Sequence, residues 1–125
     1  PAIASANCST SVCTTARRAV MVKGRLGDDL DVAAGKAAAR LCALMIVAQL
    51  DAAGLLERVE RIVKLGAFVA CTPDFTDQPE VANGASDLME QVFGVAGKHA
   101  RAAVGVPALP RGAAVEVDAV IALRA

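Results

Sequence analysis

Tryptophan and tyrosine are missing from this chain, and Phe68, Phe75 and Phe93 are its only aromatic residues. Net charge is missing too, because thirteen basic residues offset thirteen acidic ones. The chain therefore lacks the basic footprint that draws a protein to phosphate backbones or anionic membrane surfaces. Neither a nucleic acid nor a membrane is expected as a partner. There is one histidine, His99, so a two-histidine nuclease site or a His-rich metal site cannot be assembled within one chain. The four cysteines, Cys8, Cys13, Cys42 and Cys71, match no zinc or redox spacing. No glycine-rich loop has phosphate-cradling spacing after a strand. No metal and no cofactor is expected.

Long hydrophobic runs are scarce as well. The longest, Ala37 to Leu50, contains Arg40 and Gln49. A membrane-spanning helix needs roughly 20 mostly apolar residues, so this run reads as too short and too charged. The N-terminus has no basic stretch followed by an apolar one, so it does not read as a secretory leader. Pro1 is what removal of a Met before a small residue would leave. The cytoplasm is the expected compartment, with the cysteines unpaired. Cys42 and Cys71 are expected to be buried thiols, whereas Cys8 and Cys13 could be exposed.

What the chain does have is aliphatic bulk. Its 125 residues are 55% hydrophobic, enough to build one core from Ala, Val, Leu and Ile. A single domain over residues 1–125 is expected, with 1–18 an irregular or divergent first strand. Ala19 to Arg25 reads as a short strand. Asp28, Asp29 and Asp31 then offer carboxylates to the free N–H groups of a helix start. That helix is expected from Val32 to Ala53, with Gly54 as its stop. At 3.6 residues per turn Ala34, Ala38, Leu41, Cys42, Met45 and Ala52 share its apolar face.

Leu56 to Cys71 is the strongest strand signal, with Val59, Val63, Leu65, Ala67 and Val69 alternating against Glu60, Ile62, Lys64 and Phe68. Gly66 within it suggests a bulge or a close backbone approach. Thr76 or Asp77 is expected to cap a second helix running to Phe93, with Val81, Ala85, Leu88 and Val92 as its buried stripe. Strands Ala102 to Val106 and Ala113 to Leu123 follow, expected as antiparallel neighbours joined by the turn at Leu109-Pro110. The order is that of an α+β fold, one sheet with two helices on one face. The other face needs a cover, for which a second copy of the sheet is the obvious candidate.

Few residues stand out chemically. Arg101 opens an apolar strand, and its planar fork suits a carboxylate. Local sequence alone would point it to solvent. Glu116 lies mid-strand between Val115 and Val117, and by the hairpin argument faces Arg101. Asn83 projects onto the polar face of the second helix, where solvation and a site role are equally open. His99, just before a strand, reads as a solvated loop residue.

The stretch Ala100-Arg101-Ala102-Ala103-Val104-Gly105-Val106-Pro107-Ala108-Leu109-Pro110, followed by Val115-Glu116-Val117-Asp118-Ala119, resembles the signature of the RidA/YjgF family. Val59-Glu60-Arg61-Ile62-Val63-Lys64, Phe68-Val69 and Asp74-Phe75 are similar to that family's central strand and its following turn. Asp77-Gln78-Pro79 through Leu88 looks like a less characterised branch. The resemblance spans roughly residues 23–122.

It implies a chorismate-mutase-like fold with a mixed sheet, three subunits joining their sheets as a central barrel, and ligand clefts between subunits. It implies further that Arg101 holds the carboxylate of an enamine or imine derived from an amino acid, with Asn83 near the cleft. Glu116 would position the attacking water, and the products would be a 2-oxo acid and ammonia. The sequence departs from the pattern at Ala103, where the family carries cysteine. The Ser-Gly-Gln that usually ends the first long strand is also not recognisable in Cys8 to Thr15. These departures bear on turnover more than on carboxylate binding at Arg101.

Two function classes stay open. One is a hydrolytic deaminase of 2-iminobutanoate or 2-iminopropanoate type. The other is a non-catalytic homotrimer that binds a small carboxylate as sensor or scaffold. Endoribonuclease activity, a name attached to some members, fits poorly with neutral charge and few aromatics. A tautomerase using Pro1 as base fits poorly with Ala2-Ile3-Ala4-Ser5-Ala6-Asn7, a weak version of the apolar strand such enzymes need.

Overall fold

A computed structural model describes residues 2–9 and 22–125, and the side chains of 7–9 are not described. The elements in chain order are β1 (Ala2–Ser9), α1 (Val32–Ala52), β2 (Val59–Ala70), α2 (Gln78–Phe93), β3 (Ala100–Val106) and β4 (Val115–Leu123). The four strands form one mixed sheet in the order β1-β4-β2-β3. β4 runs antiparallel to both β1 and β2, and β3 runs parallel to β2. The α+β class with one mixed sheet and two helices is as expected.

The helix starts and stops follow the sequence. Asp31 caps α1, its Oδ1 accepting from the Ala34 N–H at 2.8 Å, and Gly54 follows with φ at 69°. α2 carries a proline in its first turn and ends at Gly94, with φ at 62°. A backbone that turns left-handed at these stops favours glycine, which has no Cβ to clash. Asp77 occupies the cap position of α2, but its side chain makes no capping bond.

Both helices pack on one sheet face. Leu65, Ala67 and Val69 of β2 and Val115, Val117, Ala119 and Ile121 of β4 meet Ala38, Cys42 and Ile46 of α1 and Val81, Ala85 and Met89 of α2 in one core. Period-2 alternation sends Lys64, Gly66, Phe68, Ala102, Val104, Glu116, Asp118 and Val120 to the opposite face. No helix among the described residues covers that face, and Val104 and Ile3 are exposed on it.

Several expectations are corrected by packing. α1 turns a different stripe inward: Gly35, Ala39, Ala43, Ile46 and Leu50 are buried with Ala38 and Cys42, while Leu41 and Met45 are half-buried and Ala52 is exposed. A helix wedged between a sheet and a second helix needs two adjoining stripes, and a single projection finds only one. α1 is also long and apolar enough to cross a bilayer by length and composition, contrary to the reading of Ala37–Leu50. Here that apolar surface meets the sheet and α2. On α2, Met89 is buried where Val92 was expected, and Val92 is exposed. On β2, register shifts at Val59/Arg61 and Ile62/Lys64 reset the alternation, so Ile62 is buried and Val63 half-buried.

The largest correction concerns the last two strands. They are not neighbours: β2 lies between them. The β2-α2-β3 crossover lays β3 parallel along one side of β2, and the segment 107–114 then carries the chain past β2 to its other side. Such a span is too long for a tight hairpin and long enough to cross two strand spacings of about 5 Å each.

Near the N-terminus, the expected strand over 19–25 is replaced, in its described part, by a single bridge between Lys23 and Ala113. A regular strand β1 does follow residue 1, in the stretch that read as irregular. Pro1 and Cys13 lie outside the described residues.

Candidate functional site

The site is built from two short spacings. On α2, Asn83 and Ser86 stand three residues apart and share a helical face. On β3 and its approach, His99 and Arg101 stand two apart and share a strand face. Arg101 pairs with Leu65, a core residue, so it points to the helix-bearing side of the sheet. β3 is the edge strand there, and Arg101 comes up beside α2 without being buried.

Asn83 and Ser86 take up one end of its guanidinium. Nη1 donates to Asn83 Oδ1 at 2.6 Å and to Ser86 Oγ at 3.2 Å. Among the described residues Arg101 makes no ion pair; the one formed is Arg25–Asp28, at 3.8 Å on the surface. Among the described residues, the hydrogen bonds of its side chain are both made by Nη1 and none by Nε or Nη2. A cleft of about 350 Å³ opens here, lined by Arg101, Asn83, Ser86, His99 and Lys98, with Asp87 and Glu90 at its side. Asn83 is half-buried and is not the plainly solvated residue its projection allowed.

His99 departs from expectation. It is half-buried, and both ring nitrogens are engaged: Nδ1 with the Gly97 carbonyl at 2.6 Å and Nε2 with Ser86 Oγ at 2.9 Å. Ser86 and His99 are the site residues that sequence reasoning missed. The signal was present in the spacing, since 83 and 86 match a helical period and 99 and 101 a strand period.

Glu116 does not join this group. It pairs with Phe68 on the open face, opposite to Arg101. Counting one intervening strand and three residues along it, the two Cα atoms are about 14 Å apart. The expectation that the two face each other on adjacent strands is thus overturned by the strand order. Beside Glu116, the Asp118 carboxylate lies over Gly66, in the space a Cβ there would fill. Where a bulge or a close backbone approach was expected at Gly66, a side-chain carboxylate fills the space, and the bulges come earlier in β2.

A family model described as "YjgF/chorismate mutase-like, putative endoribonuclease" matches residues 3–122. The chain belongs to the RidA/YjgF family. It is 60% identical over 102 residues to Protein TCP17 of Trypanosoma cruzi, a match that covers 80% of this chain and 64% of that protein. The chain thus spans less than two thirds of that relative's length. Among solved structures it is similar to Atu1372 of Agrobacterium tumefaciens, a protein of unknown function. That pair shares 45% identity with a TM-score of 0.81, over 85% of this chain and 69% of the other. TdcF of E. coli, solved with bound serine, is 28% identical with a TM-score of 0.52, over 77% of this chain and 67% of its own. In this RidA/YjgF chain Ala103 faces the helix side with Arg101 and packs half-buried against the core, outside the lining of the cleft.

Proposed function

We propose that this RidA/YjgF chain binds a small 2-imino or 2-enamino carboxylate at Arg101 and hydrolyses it to a 2-oxo acid and ammonia. The observation that carries the reading is the state of Arg101: one nitrogen is fixed by Asn83 and Ser86, and no carboxylate among the described residues claims the rest. A fork held in this way matches a carboxylate bidentately. The serine bound by TdcF is an amino acid carboxylate of the same chemical class.

The reaction needs little machinery. An enamine takes a proton at C3 and becomes the iminium. Water then adds to C2 as a base removes its proton, giving a carbinolamine; the base returns that proton to the nitrogen, the C–N bond breaks to release ammonia, and the hydroxyl gives up its proton to solvent as it becomes the carbonyl. Glu116 is the carboxylate suited to that base role. Because Glu116 and Arg101 occupy opposite faces of one sheet, one small ligand can reach both only if Glu116 comes from another copy. The arrangement we propose is a homotrimer in which the open faces, with Phe68, Val104 and Val120, close on each other and bring Glu116 of one copy to the β3 edge that carries Arg101 in the next.

The absence of a recognisable Ser-Gly-Gln and the separation of Glu116 from Arg101 favour a second reading, a trimer that binds the carboxylate without turnover. One assay separates the two. Hydrolysis of 2-aminocrotonate, released in situ by a threonine dehydratase, should be accelerated by the wild-type protein and not by Arg101→Ala. No acceleration, with 2-oxobutanoate still bound, leaves the binding reading. A monomer in sizing experiments removes both.

A further inference from the structure

We infer that Ser86 and His99 are positioning residues that set the orientation of Arg101 through a directed chain of hydrogen bonds. The inference rests on the reading of Arg101 as the carboxylate-binding group, and it names two residues that reading does not use.

The direction of the chain follows from its far end. The Gly97 carbonyl can only accept, so Nδ1 of His99 carries the hydrogen of the 2.6 Å bond. In the neutral ring Nε2 then has a lone pair and no hydrogen. Ser86 must donate its one hydroxyl hydrogen to Nε2, at 2.9 Å. With that hydrogen committed, Ser86 Oγ faces Arg101 as an acceptor and takes Nη1–H at 3.2 Å. Asn83 Oδ1 takes the other Nη1 hydrogen at 2.6 Å.

Each bond fixes the next. The backbone sets the ring, the ring sets the hydroxyl rotor, and the rotor decides whether Arg101 meets an acceptor or a competing donor. Without His99 the Ser86 hydroxyl could turn its hydrogen toward the guanidinium and push it from its place. Charged neighbours do not substitute for the chain. Asp87 and Glu90 of α2 and Lys98 before β3 line the same cleft without bonding to Ser86, His99 or Arg101.

The three side chains come from two elements that only tertiary structure brings together. Ser86 is half-buried between α2 and the start of β3, the position from which it can touch both His99 and Arg101. Its two partners lie on one side of the strand, two residues apart.

The test uses the whole chain and two readouts. Binding of 2-oxobutanoate is measured by calorimetry for Ser86→Ala, His99→Phe, His99→Asn and His99→Gln. Loss of one bond of this kind is expected to weaken binding by about five-fold in Ser86→Ala, His99→Phe and His99→Asn. His99→Gln places its Oε1 near the position of Nε2 and should stay close to wild type, whereas Asn cannot reach. Equal loss in all three His99 variants, or none in any, overturns the inference. The second readout needs no ligand: the rate at which phenylglyoxal modifies Arg101, followed by peptide mass spectrometry. Ser86→Ala and His99→Phe should raise that rate several-fold while His99→Gln leaves it unchanged, and equal rates in all variants overturn the inference. If wild type fails to bind 2-oxobutanoate while the modification rates separate as stated, the carboxylate reading falls and the positioning chain stands.

Discussion

Arg101 and Glu116 belong to opposite faces of the same sheet, separated by strand β2. No rotamer of either side chain brings the two to one small molecule within a single chain. If both serve one reaction, the site must be shared between copies. Arg101→Ala and Glu116→Gln proteins should then each be inactive alone. Unfolded together and refolded as a mixture, they should regain activity, because some clefts pair an intact Arg101 with an intact Glu116. Random assortment around a ring of head-to-tail contacts places both in about a quarter of the clefts. Activity near that fraction of wild type, in the 2-aminocrotonate assay, is the expected outcome. Recovery no greater than the sum of the parents would show that the two residues do not share a cleft.

The Asp118 carboxylate occupies the space above Gly66, so Gly66→Ala forces it aside. Overpacking of this kind costs about 1–3 kcal/mol. The obstacle is one side chain, and removing it should remove the cost. In Asp118→Ala the same Gly66→Ala change should be close to neutral, a coupling of about 1 kcal/mol or more between residues in contact. Denaturant unfolding of the four proteins measures it. Equal effects in the two backgrounds would mean that Gly66 is required for something other than Asp118.

How much of this was legible beforehand depends on which kind of signal each feature uses. Helix limits are written locally: Asp31, Gly54, Pro79 and Gly94 act within a few residues of themselves, and α1 and α2 begin and end where they direct. Arg101 and Asn83 were singled out because one lies in a long family motif and the other near where that family often has a polar cleft residue, and the structure brings the two within hydrogen-bond distance. The pairing of β3 was not legible. Leu109-Pro110 signals a turn, yet nothing in a turn says which side of β2 the next strand will take. That choice is made by the α2 crossover, which uses one flank of β2 for β3 and leaves the other for β4. The inversion at Ile62 has the same character, since a register shift is set by the partner strand. His99 was misread for a third reason: a single residue before a strand has no pattern of its own, and only Ser86, thirteen positions away in sequence, gives it a partner.

The two buried thiols should report on unfolding. Cys42 is fully buried, with its Sγ 3.7 Å from the Val115 carbonyl, and Cys71 is nearly so. The core encloses Cys42, whereas Cys71 takes a hydrogen bond from Gln78 Nε2 at 3.6 Å and lines an open pocket beside Arg25. Under native conditions Cys42 should react with a maleimide far more slowly than in denaturant, and more slowly than Cys71, with peptide mapping to separate both from Cys8 and Cys13. Rapid native labelling of Cys42 would contradict the packing of α1 on β4.

The closest crossing of the helices makes the last prediction. Gly84 of α2 faces the backbone carbonyl of Lys36 in α1, and a Cβ built at 84 would sit inside the contact distance of that oxygen. Alanine is the better helix former by about 1 kcal/mol, so propensity alone would have Gly84→Ala stabilise α2. Sterics oppose it more strongly. The obstructing atom is main chain in the middle of a helix and cannot swing away, so α1 and α2 must separate along a contact that also holds Ala39, Ala43, Val81 and Ala85 in the core. A net loss of about 2 kcal/mol or more is expected, in the range of overpacked cores. The shift should also reach the site, because α2 carries Asn83 and Ser86. Gly84→Ala is thus expected to weaken 2-oxobutanoate binding as well as lower the unfolding midpoint. A stabilised Gly84→Ala protein would mean that helix propensity outweighs the contact, and that the two helices are farther apart than described.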